Sequence, residues 1–164
     1  LPEMLDFAKS ELGVRTTLGH TNGSGLPLPG LDEANVGLKA WDEAMHRNLT
    51  GCERNQLFAK LKKAYEEEID LKVNVVYIPG LIDIDQVEKI SDWLGSIDRN
   101  IPFHIMGYIP VPGQTYQQPS AEQMREAEFA SKKHLRNVAS SRINPDHALQ
   151  LSARDDRFAV TRIL

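Results

Sequence analysis

Lys72-Val73-Asn74-Val75-Val76-Tyr77-Ile78-Pro79-Gly80 is the stretch on which the fold turns. β-branched residues dominate it and a Pro-Gly pair closes it, so it reads as a strand. Its apolar character is almost unbroken, the pattern of a parallel strand in a sheet covered on both faces. On its N-terminal side, Asn55 to Glu68 carries Leu57, Phe58, Leu61, Ala64 and Tyr65 on one helical face, with Lys and Glu elsewhere. On its C-terminal side, Asp85 is placed as the cap of a helix running through Ile97, with Val87, Ile90, Trp93 and Leu94 along one side.

The same order repeats outward. Pro102 to Ile109 is a second apolar strand, followed by a Pro/Gly-rich loop from Pro110 to Pro119. Ser120 and Gln123 form a capping-box pattern for a helix from Ala121 to about Leu135. Asn137 to Ala139 is then a short strand, Pro145 to Leu151 a weak helical turn, and Arg157 to Leu164 a last strand candidate. Toward the N-terminus, Ala34 to Ala40 alternates as a strand, and Asp42 caps a short helix through Leu49 that Thr50-Gly51 ends. Val14 to His20 is a strand running into a loop, and residues 1 to 12 form a helix.

Strand, loop and helix in alternation specify an α/β protein with a parallel sheet. A doubly wound nucleotide fold places G-x-G-x-x-G between its first strand and helix. Gly19 to Gly25 lacks that spacing and leads into prolines, so a curved barrel wall fits better. Barrel function sits at the C-terminal ends of the strands. His20, Thr21 and Asn22 follow one strand, Lys39 and Asp42 the next, then Tyr77, and then His104 and Tyr108.

Composition narrows the function classes. The chain has 164 residues, 41% of them apolar, and a formal net charge of -4. No apolar run approaches the ~18 residues of a membrane span, and no polybasic tract offers a nucleic-acid footprint. Cys52 is the single cysteine, so an internal disulfide or a multi-cysteine metal site is excluded within this sequence.

Lys39 interrupts an apolar strand near its end, where partial desolvation is expected. It reads either as a lysine snorkelling to the rim, or as a carboxylate or phosphate clamp or a Schiff-base amine. His104, inside another apolar strand, reads as a hydrogen-bonded core residue or a site residue. Thr21-Asn22-Gly23 taken singly marks a turn, and Asp83 and Asp85 read as cap residues. Cys52 has no adjacent histidine and reads as a bystander thiol. His46, His134 and His147 lack ligand spacing, so no metal is assigned to them.

Taken together, Thr21-Asn22-Gly23, Asp32-Glu33-Ala34-Asn35-Val36-Gly37-Leu38-Lys39-Ala40-Trp41-Asp42, Leu49-Thr50-Gly51 and Val76-Tyr77-Ile78-Pro79-Gly80 resemble the radical S-adenosylmethionine superfamily, in its branch related to the glycyl-radical-enzyme activases. The resemblance implies part of a partial (β/α)6 TIM-like barrel, of which this chain holds the later strands only. Residues 1–140 would form the barrel wall and residues 141–164 the start of a C-terminal extension. It implies S-adenosylmethionine lying across the strand tops, with Lys39, Thr21, Asn22, His20, His104 and Tyr77 facing it. Lys39 matches the lysine that contacts the cofactor carboxylate, and His104 lies near the strand whose histidine approaches the ribose. It also implies a [4Fe-4S] cluster on a CxxxCxxC loop. One cysteine cannot ligate such a cluster, so its ligands are expected upstream.

Two departures stand out. His20 takes the place where activases carry an aspartate, and Gly37 stands where they have an acidic residue. Within the superfamily, Ile101 to Gly113 and Leu151 to Phe158 resemble the methanogenesis marker protein 10 type, which C-methylates an arginine of methyl-coenzyme M reductase with cobalamin. That likeness implies a 5'-deoxyadenosyl radical as the hydrogen-abstracting species, with the protein wall positioning the cofactor. The alternatives are an activase-like protein, a Schiff-base lyase or aldolase using Lys39, and a non-catalytic α/β interaction module. The expected partners are the rest of the same barrel and a protein substrate, with no nucleic acid and no membrane, in a cytoplasmic setting. The helical opening at Leu1 and the strand-like close at Leu164 lead us to expect a piece of a longer protein.

A wall of parallel strands exposes an unpaired edge and an uncovered inner face. We expect the isolated chain to be poorly folded or to aggregate on gel filtration unless the missing strands or a partner chain cover that edge. A monodisperse 164-residue sample with a single cooperative melt would contradict this.

Overall fold

The computed structural model describes residues 1–111, 113–147 and 150. A helix, α1 (Pro2–Ser10), precedes the first strand, β1 (Thr17–Thr21). β2 (Glu33–Leu38) leads into α2 (Glu43–Thr50) and α3 (Arg54–Glu66). β3 (Asp70–Tyr77), α4 (Ile84–Ile97), β4 (Phe103–Gly107), α5 (Ala121–Lys132) and β5 (Val138–Ser141) then alternate. All strand pairs are parallel, and the sheet order is β1-β2-β3-β4-β5.

That order separates a barrel wall from a doubly wound sheet. Each strand lies beside its sequence neighbour with no reversal, so right-handed crossovers bring the helices to one face. The burial strings agree, with alternating half-buried and buried positions in β2 and β4. Ala34, Val36 and Leu38 of β2, Leu71, Val73, Val75 and Tyr77 of β3, and Phe103 and Ile105 of β4 form one core with helical side chains. Those helical residues include Phe58 and Leu61 from α3, Val87, Ile90 and Leu94 from α4, and Met124 and Ala127 from α5. Burial on both faces, expected from the apolar run, is therefore corrected: the opposite face carries Glu33, Asn35, Gly37, Lys72, Asn74, Val76, His104 and Met106. In β3 a run of apolar residues hides this alternation, because Val76 sits on the uncovered side.

Helix ends follow the capping chemistry. The Asp42 carboxylate accepts from the Met45 N–H at 2.8 Å, and Gly51 closes α2 at φ 73°, a left-handed angle that glycine takes without strain. Ser120 and Gln123 form the reciprocal capping box of α5. Asp85 is not the cap of α4. Asp83 precedes that helix and its carboxylate accepts from the Gly80 N–H in the turn, while Asp85 pairs with Lys89 along the first turn. α4 and α5 meet closely at Gly95, where a Cβ would stand 2.8 Å from the backbone oxygen of His134.

Val14 to Thr16 is not part of β1, because Thr16 is committed to a loop clasp. Its N–H donates to Asp32 Oδ2 at 2.7 Å, and its hydroxyl donates to the Gly30 carbonyl at 2.6 Å. Lys9 Nζ meets the other Asp32 oxygen at 2.7 Å, tying α1 to the start of β2. α1 buries no residue, and Met4, Phe7 and Leu12 stay exposed. Residues 145–147 and 150 are helical, in line with the turn expected there. The strand expected at 157–164 lies outside the described residues. No helix among them is long and apolar enough to cross a membrane.

The Asp32 clasp sets a pH dependence. Hydrogen bonding from Lys9 and then Thr16 lowers the Asp32 carboxyl from 3.8 to about 2. A depressed folded-state value contributes stability above the unfolded value that is lost as pH falls through the folded one. Urea midpoints should therefore fall between pH 4 and pH 2, and Asp32→Asn should flatten that part of the profile. An unchanged profile in the variant would remove Asp32 as its source.

Candidate functional site

Period-2 geometry decides which side chains reach the uncovered face. Odd positions of β2 point there, so Lys39, one residue past the strand, projects from the same side at its C-terminal end. It is exposed, which corrects the expected desolvation: the strand is apolar only on the face turned away from Lys39. Gly37, two residues earlier, is what leaves room beneath it. A Cβ there would lie 3.3 Å from Asn74 Oδ1 and 3.7 Å from Lys39 Nζ.

His20 reaches this face through a register shift. Leu18 pairs with Ala34, His20 with Asn35 and Thr21 with Val36, so one extra residue at Gly19 separates Leu18 from His20. Such an insertion re-aims the side chain that follows it. His20 and His104 line one concavity of about 600 Å³ with Asn35, Asn74, Met106 and Arg136. Asn74 Nδ2 donates to Asn35 Oδ1 at 2.8 Å, crossing between the two central strands. Lower on the face, Lys72 Nζ meets Glu33 Oε1 at 2.8 Å and Arg15 pairs with Asp70, so those cations are already matched.

Lys39 and Asn22 line a second pocket, of about 290 Å³, bounded by the loop after β1, α2 and the first half of α3. Leu49 and Leu57 give it an apolar wall, and exposed Cys52 lies on its rim. His46 also lines it and is 1% exposed, with Nδ1 lacking a hydrogen-bond partner. Thr21 and Asn22 perform the turn role that such residues have: Thr21 Oγ1 accepts from the Gly23 N–H, and Asn22 Oδ1 accepts from the N–H and hydroxyl of Ser24. This loop seats against α3, since a Cβ on Gly23 would stand 2.9 Å from Leu57 Cδ1.

Tyr77 is the misplaced member of the expected set. It is 1% exposed and belongs to the core between the sheet and the helices, because β3 turns odd positions that way. Burial, with smaller contributions from Asp83 and Glu126, pushes its hydroxyl above the ordinary tyrosine range. Asn35, Asn74 and Gly37 are the residues of this face that strand-end reasoning passed over. Asn74 was visible as the one polar residue inside Val73 to Tyr77. Among the described residues, no cluster of three or more His, Cys, Asp or Glu could hold a metal ion.

Comparison with known proteins gives the fold its class. No family model matches the chain. A domain of pyruvate-formate lyase-activating enzyme from Bacteroides vulgatus superposes with a TM-score of 0.68, at 13% identity, over 85% of this chain and 91% of that domain. A radical SAM methyltransferase from Sphaerobacter thermophilus superposes at 0.62, with 17% identity, over 85% of this chain and 45% of the other. The five-stranded parallel wall is thus the fold of radical S-adenosylmethionine barrel domains. In sequence the chain is 31% identical over 116 residues to MJ1632 of Methanocaldococcus jannaschii, assigned by name to the glycyl-radical enzyme activating enzymes. In fold the chain is similar to radical S-adenosylmethionine barrel domains, and in sequence to a protein named as a glycyl-radical enzyme activating enzyme. The match covers 68% of this chain, and the chain spans 45% of the length of that relative.

The position of Tyr77 separates core from site. Tyr77→Ala should lower stability in urea unfolding by about 3–5 kcal/mol, the range for a large buried aromatic cut to alanine. A loss below about 1 kcal/mol would show that Tyr77 is not a core residue.

Proposed function

We propose that this chain is the S-adenosylmethionine-holding wall of an activase-like radical enzyme. The observation that carries the reading is the ammonium of Lys39, exposed at the C-terminal end of β2 beside a pocket of about 290 Å³, in a chain whose sequence relative bears an activating-enzyme name. Its donor chemistry fits a cofactor carboxylate, since a lysine offers three rotatable donors and a full charge. Bound S-adenosylmethionine would supply the radical chemistry of the superfamily. Lys39 would hold the carboxylate, Asn22 and Thr50 would offer polar contacts along the pocket, and Leu49 and Leu57 an apolar wall. His20 and His104 would present imidazoles to the adjoining concavity.

The residues do not fit the other group of the superfamily. A [4Fe-4S] cluster needs several thiolates, and Cys52 is the single cysteine here. Further strands of the same barrel would cover the free edge of β1 and the polar face, and a protein would carry the reacting residue.

Cobalamin-dependent arginine methylation is the finer alternative, supported by the resemblance of Ile101 to Gly113 to the marker protein 10 type. It predicts a cobalamin absorption spectrum in the purified protein, which the activase-like reading does not require. A Schiff-base lyase would instead trap a carbonyl substrate on Lys39 under borohydride reduction.

Titration with S-adenosylmethionine of the protein in which further strands complete this wall tests the main reading. Hydrogen bonds to charged groups contribute about 1.5–3 kcal/mol, so Lys39→Met should weaken binding by about tenfold to a hundredfold. Equal affinity in wild type and variant would overturn it.

A further inference from the structure

Cys52 lies in the bend between α2 and α3, exposed, on the rim of the pocket of about 290 Å³. Its backbone N–H donates to Thr50 Oγ1 at 3.1 Å, so the turn that carries the thiol is held by a local hydrogen bond. Two independent features mark the space beside it as a place for a ligand. His46 lines the pocket from α2 and is 1% exposed, yet its Nδ1 has no hydrogen-bond partner among the described residues. Buried polar atoms are ordinarily satisfied, so this one calls for a group that an occupant would bring.

Charge is the second feature. Lys60 lines the pocket and donates to the Ser24 carbonyl at 2.6 Å, a neutral partner that leaves its charge uncancelled. Glu53 is the single carboxylate among the described lining residues, and it is matched by Arg47 at 2.8 Å and by Gln56 at 3.1 Å. The thiol therefore stands at a locally cationic mouth, in a chain whose formal net charge is -4.

We propose that Cys52 is a modification site for small disulfides that bear acid groups, and that the adduct closes the pocket. The Cys52 thiolate attacks one sulfur of the disulfide. That S–S bond breaks, a new one forms to Cys52, and the other half leaves as a thiolate that takes up the proton Cys52 gave away. Cys52 is oxidised and the departing half is reduced, so the small disulfide is the oxidant. Lys60 draws an acidic reagent to the mouth, whereas the net charge of the chain repels it elsewhere. The attached group occupies the volume assigned above to S-adenosylmethionine, and the competition between them rests on that reading.

Exchange can be followed at the Cys52 peptide by mass spectrometry, in the protein whose further strands complete this wall. Glutathione disulfide is the acidic probe and bis(hydroxyethyl) disulfide the neutral one. The ratio of their rates should exceed that for a short neutral cysteine peptide. Lys60→Gln should lower the ratio about twofold to threefold, as loss of one unit charge about 8 Å away does in water. The neutral probe controls for packing, since a loosened pocket changes both rates alike. A ratio equal in wild type and variant, or no higher than that of the peptide, would overturn the site. Protein modified at Cys52 should bind S-adenosylmethionine about tenfold or more weakly, with recovery on reduction by dithiothreitol, while Cys52→Ser binds it and is insensitive to the disulfide. Full affinity in the modified protein would overturn the closure. Failure of the unmodified protein to bind S-adenosylmethionine would overturn the reading of the pocket, and the exchange rates would still decide the modification site.

Discussion

Parallel strands laid down in chain order, each beside its sequence neighbour and joined to it by a crossover of one hand, bring their helices to a single face of the sheet. Everything else in this molecule depends on that constraint. One set of alternate strand residues is pressed against α3, α4 and α5 and becomes the core. The other set has no helix to meet and remains available for chemistry. Leu38 and Lys39 are adjacent in sequence, yet one is buried and the other exposed. Tyr77 and Asn74 lie on the same strand and end on opposite sides of the sheet.

The polar face is organised rather than merely left over. Asn35 and Asn74 join β2 to β3 by a side-chain hydrogen bond, and Lys72 with Glu33 and Arg15 with Asp70 balance charge nearer the N-terminal ends of the strands. Toward the other end, Lys39 faces concave space. A site assembled this way gains precision from regular strands, with the loop after β1 contributing only after its own turn hydrogen bonds are made. The aromatic cluster behind it, with Phe58 stacked on Trp93 at 4.1 Å and Arg54 over Trp41 at 4.5 Å, braces α2 and α3 where they frame the smaller pocket.

Much of this was legible in local sequence. The capping box at Ser120 and Gln123, the Asp42 cap and the Gly51 stop are interactions within a few residues, so their spacing alone exposes them. Asp83 and Asp85 were indistinguishable by spacing, and which one precedes the helix depends on the turn at Gly80 that holds the Asp83 carboxylate. The start of β1 was misread for a related reason. Thr16 has the β-branched character of a strand residue, but Asp32 and Gly30, distant in sequence, draw it into a loop.

By itself, the sequence determined the alternation of strands and helices, the caps of α2 and α5, the parallel class of the sheet, and Lys39 as a charged residue at a strand end. These follow from hydrophobic period, turn chemistry and residue type, all of which act over short separations. Only the tertiary structure decided which face each residue occupies. The side of Tyr77 depends on where the helices land, and that of His20 on a one-residue shift against β2. The pairing of Gly37 with Asn74 depends on the register of β2 against β3. Register is a relation between segments, and one residue of slip turns every side chain to the other face.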